Sequence, residues 1–190
     1  METLTRPYFR LWHCFLFLLL LATQLTAQPA ADPQKEAAKL LSEADKLELQ
    51  AEELRTKALS IEGEIKTMML EEAVNFEKEA MRKRVTAGNL RYTILRKRVV
   101  ENDSRIQKMR AAVAAAKHKS HTQFLVDDYR KNMKSADDLY RESQLNTNLA
   151  AQLGSIENAN DKIASALQQQ EDIYLMLKEE QEARKVASAR

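Results

Sequence analysis

Glycine and proline are scarce in this 190-residue sequence, with three of each. No proline follows Pro33, and the glycines are Gly63, Gly88 and Gly154. Sheet proteins of this size need many tight turns, and such turns depend on glycine and proline. The scarcity therefore argues against sandwiches, barrels and alternating strand–helix folds. It favours long helices joined by few breaks.

The single cysteine and the single tryptophan both lie in an apolar stretch near the amino terminus, residues 11–25. Arg6 and Arg10 precede this stretch, and small and polar residues follow it. A basic start, a short apolar core and small residues after it are typical of a secretory signal peptide. The stretch has about 15 residues, whereas a spanning helix needs about 20. An uncleaved membrane anchor is the alternative interpretation.

We expect residues 1–27 to be the signal peptide, with cleavage after Ala27, and with Ala30 or Ala31 as alternative positions. Residues 28–190 then contain no cysteine and form no disulfide. Small secreted eukaryotic domains commonly depend on disulfides. The mature chain is therefore predicted to be exported, periplasmic or secreted, and more typical of a bacterial envelope than of a eukaryotic secretome.

The mature chain shows a helical hydrophobic pattern from its start at Asp32-Pro33, where an acidic cap precedes a proline in the first helical position. Apolar residues then recur at steps of four and three, and most other positions are charged, as in a coiled coil. The first series comprises Leu40, Ala44, Leu47, Ala51, Leu54, Ala58, Ile61, Ile65 and Met68. Because the series continues across Gly63, the pattern predicts that the helix does too.

Gly88-Asn89 is the predicted turn, because the periodicity fades just before it and glycine favours the left-handed residue that ends many helices. For residues 117–122, the sequence is compatible with either a turn or a continuous helix. A further break is expected either near Asn146 or at Gly154. Three polar residues are candidates for positions between helices: Asn102, Asn160 and Gln170. Asn102 lies either on the contact stripe or at its rim. The predicted helices are about 33–86, 90–145 and 149–187.

These helices predict an all-α fold, with residues 28–190 as a single coiled-coil-like domain. The expected architecture is an elongated antiparallel helical bundle or coiled coil of about three long helices. Long amphipathic helices gain most of their stability from packing, so each stripe needs a partner. Parallel oligomerisation through the same stripes is the alternative.

Positive charge is concentrated in the middle of the chain. Residues 78–121 carry thirteen Lys or Arg and three Asp or Glu, whereas the flanking regions are acidic. If Gly88 is a turn, this block lies at the tip of a helical hairpin and could bind an anionic lipid or protein surface. Pairing with the acidic helices, or a solvated face, is the alternative. The candidate anion-binding residues are Arg82, Lys83, Arg84, Arg91, Arg96, Lys97 and Arg98.

No catalytic, cofactor-binding or metal-binding motif is recognisable. The sequence has no phosphate-binding glycine loop, no nucleophile elbow and no thiolate cluster for zinc. His118 and His121 form a poor metal site between two lysines. Adjacent acidic residues point about 100° apart on a helix and do not form a catalytic pair. We therefore predict neither an enzyme nor a cofactor.

These observations favour an exported, non-enzymatic scaffold or interaction module with a protein partner or self-association. An anionic lipid surface is a possible partner, and nucleic acid is disfavoured. The alternative is a periplasmic holdase chaperone for unfolded envelope proteins, and the least favoured is a bundle that binds a small ligand or acts as an enzyme.

Overall fold

The computed structural model describes the backbone of residues 32–112 and 119–188, and the side chains of residues 32–108 and 124–188. The described residues form four helices and no strand, which confirms the predicted all-α fold. The predicted signal peptide and its cleavage positions lie outside the described residues. The helices are α1 (Pro33–Ala58), α2 (Glu64–Ala112), α3 (Lys119–Leu145) and α4 (Leu149–Ser188).

The first helix ends at a turn that includes Gly63, so the predicted continuous helix over 33–86 is wrong. After α1, the Leu59 and Ser60 amides bond to carbonyls three residues earlier, at 3.2 Å each. Gly63 then adopts a φ of +80°, in the left-handed region that favours glycine. The chain thus reverses over residues 59–63, and α2 starts at Glu64.

Gly88 lies inside α2, so the predicted turn at Gly88-Asn89 is also wrong. A Cβ built on Gly88 would come 2.7 Å from Ile156 Cγ2 of α4. Heavy atoms this close overlap, so only a glycine permits the observed approach of the two helices. The Asn160 side chain also donates a hydrogen bond to the Gly88 carbonyl at 3.2 Å. This glycine serves helix packing and not chain reversal.

The break between α3 and α4 falls at residues 146–148, as one of the two predicted alternatives placed it. Asn148 Oδ1 accepts hydrogen bonds from the Ala150 and Ala151 amides at 3.0 and 3.1 Å, which caps α4. Gly154, the other predicted break, is helical. The predicted bounds of about 149–187 agree closely with α4.

The predicted helix over about 90–145 is instead two helices that run antiparallel. Tyr92 of α2 bonds to Asp137 of α3, and Asp103 further along α2 bonds to Tyr129, earlier in α3. Residue numbers rise along α2 while those of the bonded partners fall along α3, so the two helices are antiparallel. Residues 113–118 between the two helices lie outside the described backbone. The described residues thus form four helices, where three were expected.

Helix α2 packs against α1 on one face and against α4 on another. In the described part of the chain, α1 packs on α2, and α4 packs on both α2 and α3. Helices α2 and α4 run parallel, since Gly88 lies beside Ile156 and Val99 beside Gln170. The result is a bundle of α2, α3 and α4, with α1 on another side of α2.

The contact between α1 and α2 is built on alanines spaced seven residues apart. All six are at most 2% exposed, which confirms the predicted stripe at three positions of α1 and shows a matching stripe on α2. Small side chains let helix axes come close. Ile65 and Met68, also predicted on this stripe, are 59% and 63% exposed. The buried alanines are Ala44, Ala51, Ala58, Ala73, Ala80 and Ala87.

The core between α2, α3 and α4 combines apolar layers with buried amides. Its α2 residues again have seven-residue spacing: Val85, Tyr92, Val99 and Ile106 are each at most 8% exposed. Two of the predicted polar positions, Asn160 and Gln170, are buried at 1% exposure. The third, Asn102, is half-buried, at the rim of the contact.

Candidate anion-binding groove

The seven candidate anion-binding residues lie in the middle of α2 and not at a hairpin tip. The tip of the α1–α2 hairpin is formed by residues 59–63, more than twenty residues earlier than most of the basic block. The predicted location was wrong because it depended on a turn at Gly88. A long straight helix instead displays the basic side chains in different directions, so each must be located separately.

Two of the seven residues form ion pairs with acidic residues of α1. Lys83 Nζ lies 2.8 Å from Glu43 Oε2, and Arg84 contacts Asp45 at 2.8 Å and Glu48 at 2.9 Å. Hydrogen bonds from Lys83 and Arg84 hold the pKa values of Glu43 and Glu48, respectively, below their ordinary value. These contacts join the two helices, as the alternative interpretation of the basic block anticipated.

Two further residues have weaker partners. Arg96 lies 3.5 Å from Asp137 of α3, whose carboxylate also accepts the Tyr92 hydroxyl at 2.8 Å. Arg82 pairs with Glu79 at 3.3 Å, one turn earlier on the exposed side of α2. Exposed pairs of this kind contribute little to stability, about 0 to 1 kcal/mol.

The remaining three residues, Arg91, Lys97 and Arg98, are exposed. None of them forms an ion pair or hydrogen bond with the residues whose side chains are described. Lys83 and Arg84 differ from them, because hydrogen bonds to Glu43 and Glu48, respectively, raise the pKa values of these two side chains. The basic block therefore divides into a paired structural part and an unpaired part.

Four arginines of α2 form one row along the helix because they are spaced seven residues apart, about two turns. We call Arg84, Arg91, Arg98 and Arg105 the arginine row. The first is held by the α1 carboxylates, and the last lies over the Tyr174 ring of α4, 4.5 Å from its centroid. The two middle members have neither kind of contact within the described residues.

The first three members of the arginine row lie in a groove between α1 and α4 whose floor is α2. It encloses about 530 Å³, within the range of ligand-binding sites in proteins. Apolar side chains dominate its walls, and several remain partly exposed. Its lining residues besides the arginines are Gln34, Ala37, Ala38, Leu41, Ala87, Gly88, Ile94, Leu95, Leu153, Glu157 and Asn160.

Asn160, one of the lining residues, has an unsatisfied acceptor that is buried. Its side chain is 1% exposed, and its Nδ2 donates to the Gly88 carbonyl. Its Oδ1 is buried and accepts no hydrogen bond from the described residues. Buried polar atoms nearly always have a partner, so an orphaned acceptor calls for an explanation. Since this oxygen is closed to solvent, a molecule in the groove does not reach it in this conformation.

The acidic positions of α1 change character along the groove. Asp45 and Glu48 face Arg84, but seven residues earlier the same helical positions hold Ala38 and Leu41. Because α1 and α2 are antiparallel, those positions lie toward Arg91, and both line the groove. Helix α1 thus neutralises one arginine of the row and presents an apolar wall to the next.

Elsewhere, the polar clusters of the bundle connect helices. Asp103 accepts hydrogen bonds from the Tyr129 hydroxyl at 2.9 Å and from Gln170 at 2.8 Å, which joins α2, α3 and α4. Burial and the bond to Asp103 raise the pKa of Tyr129 well above its usual range. That phenol stays protonated at physiological pH and acts as a hydrogen-bond donor within the core.

No group of three or more metal-ligating side chains occurs among the residues that the structure describes. In the same residues, no helix has the length and apolar character required to cross a bilayer. No protein-family model, curated protein or solved structure matches the chain. The basis for a functional proposal is therefore the geometry and charge of the groove.

Arg91 and Arg98 were among the seven candidates predicted from the sequence, but the walls of the groove were not predicted. The seven-residue spacing of the arginine row is visible in the sequence and could have placed both residues on one face of α2. The contributions of Leu41 and Asn160 were not predictable in this way, because they depend on which faces α1 and α4 turn toward α2. A misplaced turn at Gly88 concealed that arrangement.

Proposed function

We propose that this chain is an exported, non-enzymatic helical interaction module that binds an acidic protein partner through the groove on α2. The carrying observation is that Arg91 and Arg98, in a groove with apolar walls, form no ion pair with any residue whose side chain is described. Apolar walls favour association with a partner's apolar side chains, and guanidinium groups bind carboxylates in a paired geometry. In this proposal, the seven-residue spacing of buried residues reflects coiled-coil packing that serves as a scaffold for the groove.

Binding of an acidic polypeptide tests this function directly. Poly-L-glutamate is a suitable probe, and its binding to the full chain can be followed by fluorescence anisotropy at several salt concentrations. The test variant is Arg91→Glu with Arg98→Glu. The matched control is Lys78→Glu with Lys108→Glu, which changes the net charge equally on exposed α2 residues that do not line the groove.

We expect the groove variant to weaken binding at least about tenfold, equivalent to about 1.4 kcal/mol, and the control to change it less than about twofold. Binding should also weaken as salt rises, because exposed charges are screened. Equal losses in both variants would show a diffuse charge effect and contradict a role for the groove. Circular dichroism checks that both variants keep their helical content.

Export is a separate part of this proposal and has its own test. The apolar segment at residues 11–25 supports it through the order of its features, which match a signal peptide. Expression in a bacterium with a periplasm, followed by fractionation and mass spectrometry, should give a mature chain that begins at Gln28. A full-length product that remains in the membrane fraction would instead support the uncleaved anchor.

A holdase chaperone is the second candidate, favoured by exposed apolar residues near the α1–α2 turn. Leu59, Ile65 and Met68 are 82%, 59% and 63% exposed. Exposed apolar clusters commonly mark surfaces that bind other chains. If the chain is a holdase, it should suppress aggregation of a urea-diluted outer-membrane protein. Substitution of these three residues by serine should abolish that effect, whereas the Arg91→Glu, Arg98→Glu variant should retain it.

A further inference from the structure

We propose that the occupant of the groove is an acidic amphipathic helix of a partner protein, with acidic residues repeated every seven positions. This inference rests on the proposed function and specifies the partner. It combines three observations: the spacing of the two unpaired arginines, the way in which α1 already neutralises Arg84, and the apolar walls beside the arginine row.

The spacing of Arg91 and Arg98 matches two separate acidic groups better than one. Seven residues of α-helix span about 10.5 Å along the axis. A bidentate arginine–carboxylate pair requires contact distances near 2.8 Å at each guanidinium. One compact carboxylate or phosphate meets that requirement at both guanidiniums only if the two side chains lean toward each other. Two carboxylates seven residues apart on a second helix have the same axial separation as the arginines.

Helix α1 shows how a neighbouring helix satisfies a member of this row. Asp45 and Glu48, three residues apart, both reach Arg84 at 2.8 and 2.9 Å. Residues three apart lie on one face of a helix, so a pair of acids can converge on one guanidinium. A helix that repeated such a pair every seven residues would supply the same contact to Arg91 and Arg98.

The walls of the groove favour an occupant with its own apolar stripe. Ala38 and Leu41 of α1 stand on one side, and Leu153 of α4 on the other. Leu41 is 42% exposed, so it has apolar surface still to bury. An amphipathic helix presents apolar residues next to charged ones, as these walls and the arginine row require.

A designed peptide provides the probe. It is a fluorescent amphipathic helix of about three heptads, with a leucine stripe and a glutamate pair three residues apart in each heptad. One control peptide replaces these glutamates by glutamine. A second keeps the composition but distributes the acids around the helix. Poly-L-glutamate, which repels itself into a disordered chain at neutral pH, is the non-helical comparison.

We expect the dissociation constant of the full chain for the designed helix to be at least about tenfold lower than for either control peptide. The same difference is expected for poly-L-glutamate, with its concentration counted in stretches of the same length as the peptide. Arg91→Glu with Arg98→Glu should abolish that preference, and Lys78→Glu with Lys108→Glu should leave it unchanged. The single variants Arg91→Glu and Arg98→Glu should each remove part of the affinity, because each arginine contacts a different acidic pair.

Two other outcomes would overturn the inference in different ways. If the designed helix and poly-L-glutamate bind equally, and both through Arg91 and Arg98, the groove is an acidic-peptide site without preference for a helix. The helical occupant is then wrong, and the proposed function stands. If neither probe binds, or if only vesicles containing anionic lipid bind through the two arginines, both the helical occupant and the acidic protein partner are wrong.

Discussion

Gly88 of α2 and Ile156 of α4 approach so closely that a Cβ on the glycine would stand 2.7 Å from the isoleucine Cγ2. β-branched residues in helices have one strongly preferred rotamer, so Ile156 cannot easily move aside. A glycine that is unfavourable for an isolated helix thus allows two helices to pack. Gly88 also lines the groove, and its carbonyl accepts a hydrogen bond from the Asn160 side chain there.

Gly88→Ala should therefore destabilise the protein, although alanine is the better helix former by about 1 kcal/mol. The overlap forces α2 and α4 apart, and overpacking of this kind typically costs about 1–3 kcal/mol. Gly154→Ala is the matched control, because that helical position has no atom within 4 Å of an added Cβ. We expect the control to be stabilising in urea unfolding. Stabilisation by both substitutions would contradict the close approach.

Gly63→Ala should destabilise the α1–α2 hairpin for a different reason. An added Cβ at Gly63 meets no atom within 4 Å, but the φ of +80° is strained for any residue with a Cβ. The expected cost is about 1–2 kcal/mol. Gly63→Asn should cost less, because asparagine tolerates the left-handed region. Thermal unfolding of the two variants measures the difference, and equal stability of Gly63→Ala and the parent would contradict the turn conformation.

The alanine contact between α1 and α2 predicts intolerance of larger residues. Ala51→Leu places three extra heavy atoms at a position that is 1% exposed, and should cost about 1–3 kcal/mol through overpacking. Ala164→Leu on the exposed side of α4 is the control and should change stability by less than about 0.5 kcal/mol. Denaturant unfolding gives both values. A neutral Ala51→Leu would mean that α1 does not pack as described.

The ion pairs between α1 and α2 predict a loss of stability in acid. The folded pKa of Glu48 lies below its ordinary value of 4.5, chiefly because Arg84 donates hydrogen bonds to the carboxylate. A lowered folded pKa gives a contribution to stability that is present above the unfolded pKa and is lost as the pH falls through the folded pKa. The contribution of Glu48 is therefore complete at neutral pH and declines below about pH 4.5.

Unfolding of the parent and of Glu48→Gln as a function of pH measures this contribution. The parent should be the more stable above about pH 5, and the difference should shrink toward zero as the carboxylate becomes protonated. Glu52→Gln is the control, since the Glu52 carboxylate has no ion pair with the described residues. A pH-independent difference for Glu48→Gln would contradict the pairing with Arg84.

The fold class and much of the helix packing were predictable from periodicity. The buried positions Ala44, Ala51 and Ala58 follow from apolar spacing, and Asn160 and Gln170 were correctly placed between helices. Periodicity succeeds here because each helix buries one stripe, and a stripe is a property of the local sequence. The break near Asn146 was predictable as one of two alternatives, since polar residues interrupt the stripe there.

The roles of Gly63 and Gly88 were not predictable in this way: the turn expected at Gly88 lies at Gly63, and the glycine inside a helix is Gly88. Ile65 and Met68 continue the apolar spacing past Gly63, yet both are exposed, so an unbroken stripe gave a false helix. Gly88 resembles a helix end, but its role depends on Ile156, which is distant in sequence. A signal was present: Val85 and Tyr92 keep seven-residue spacing across Gly88, which favours a continuous helix.

Because α1 packs on α2 alone within the described bundle, it can open as a separate unit while α2, α3 and α4 stay assembled. Amide protons of α1 should then exchange with solvent before those of the three-helix core. Opening of α1 removes one wall of the groove, whereas an occupant that contacts both walls holds α1 closed. Slower exchange in α1 on ligand binding would thus report occupancy of the groove from a helix that contains neither Arg91 nor Arg98.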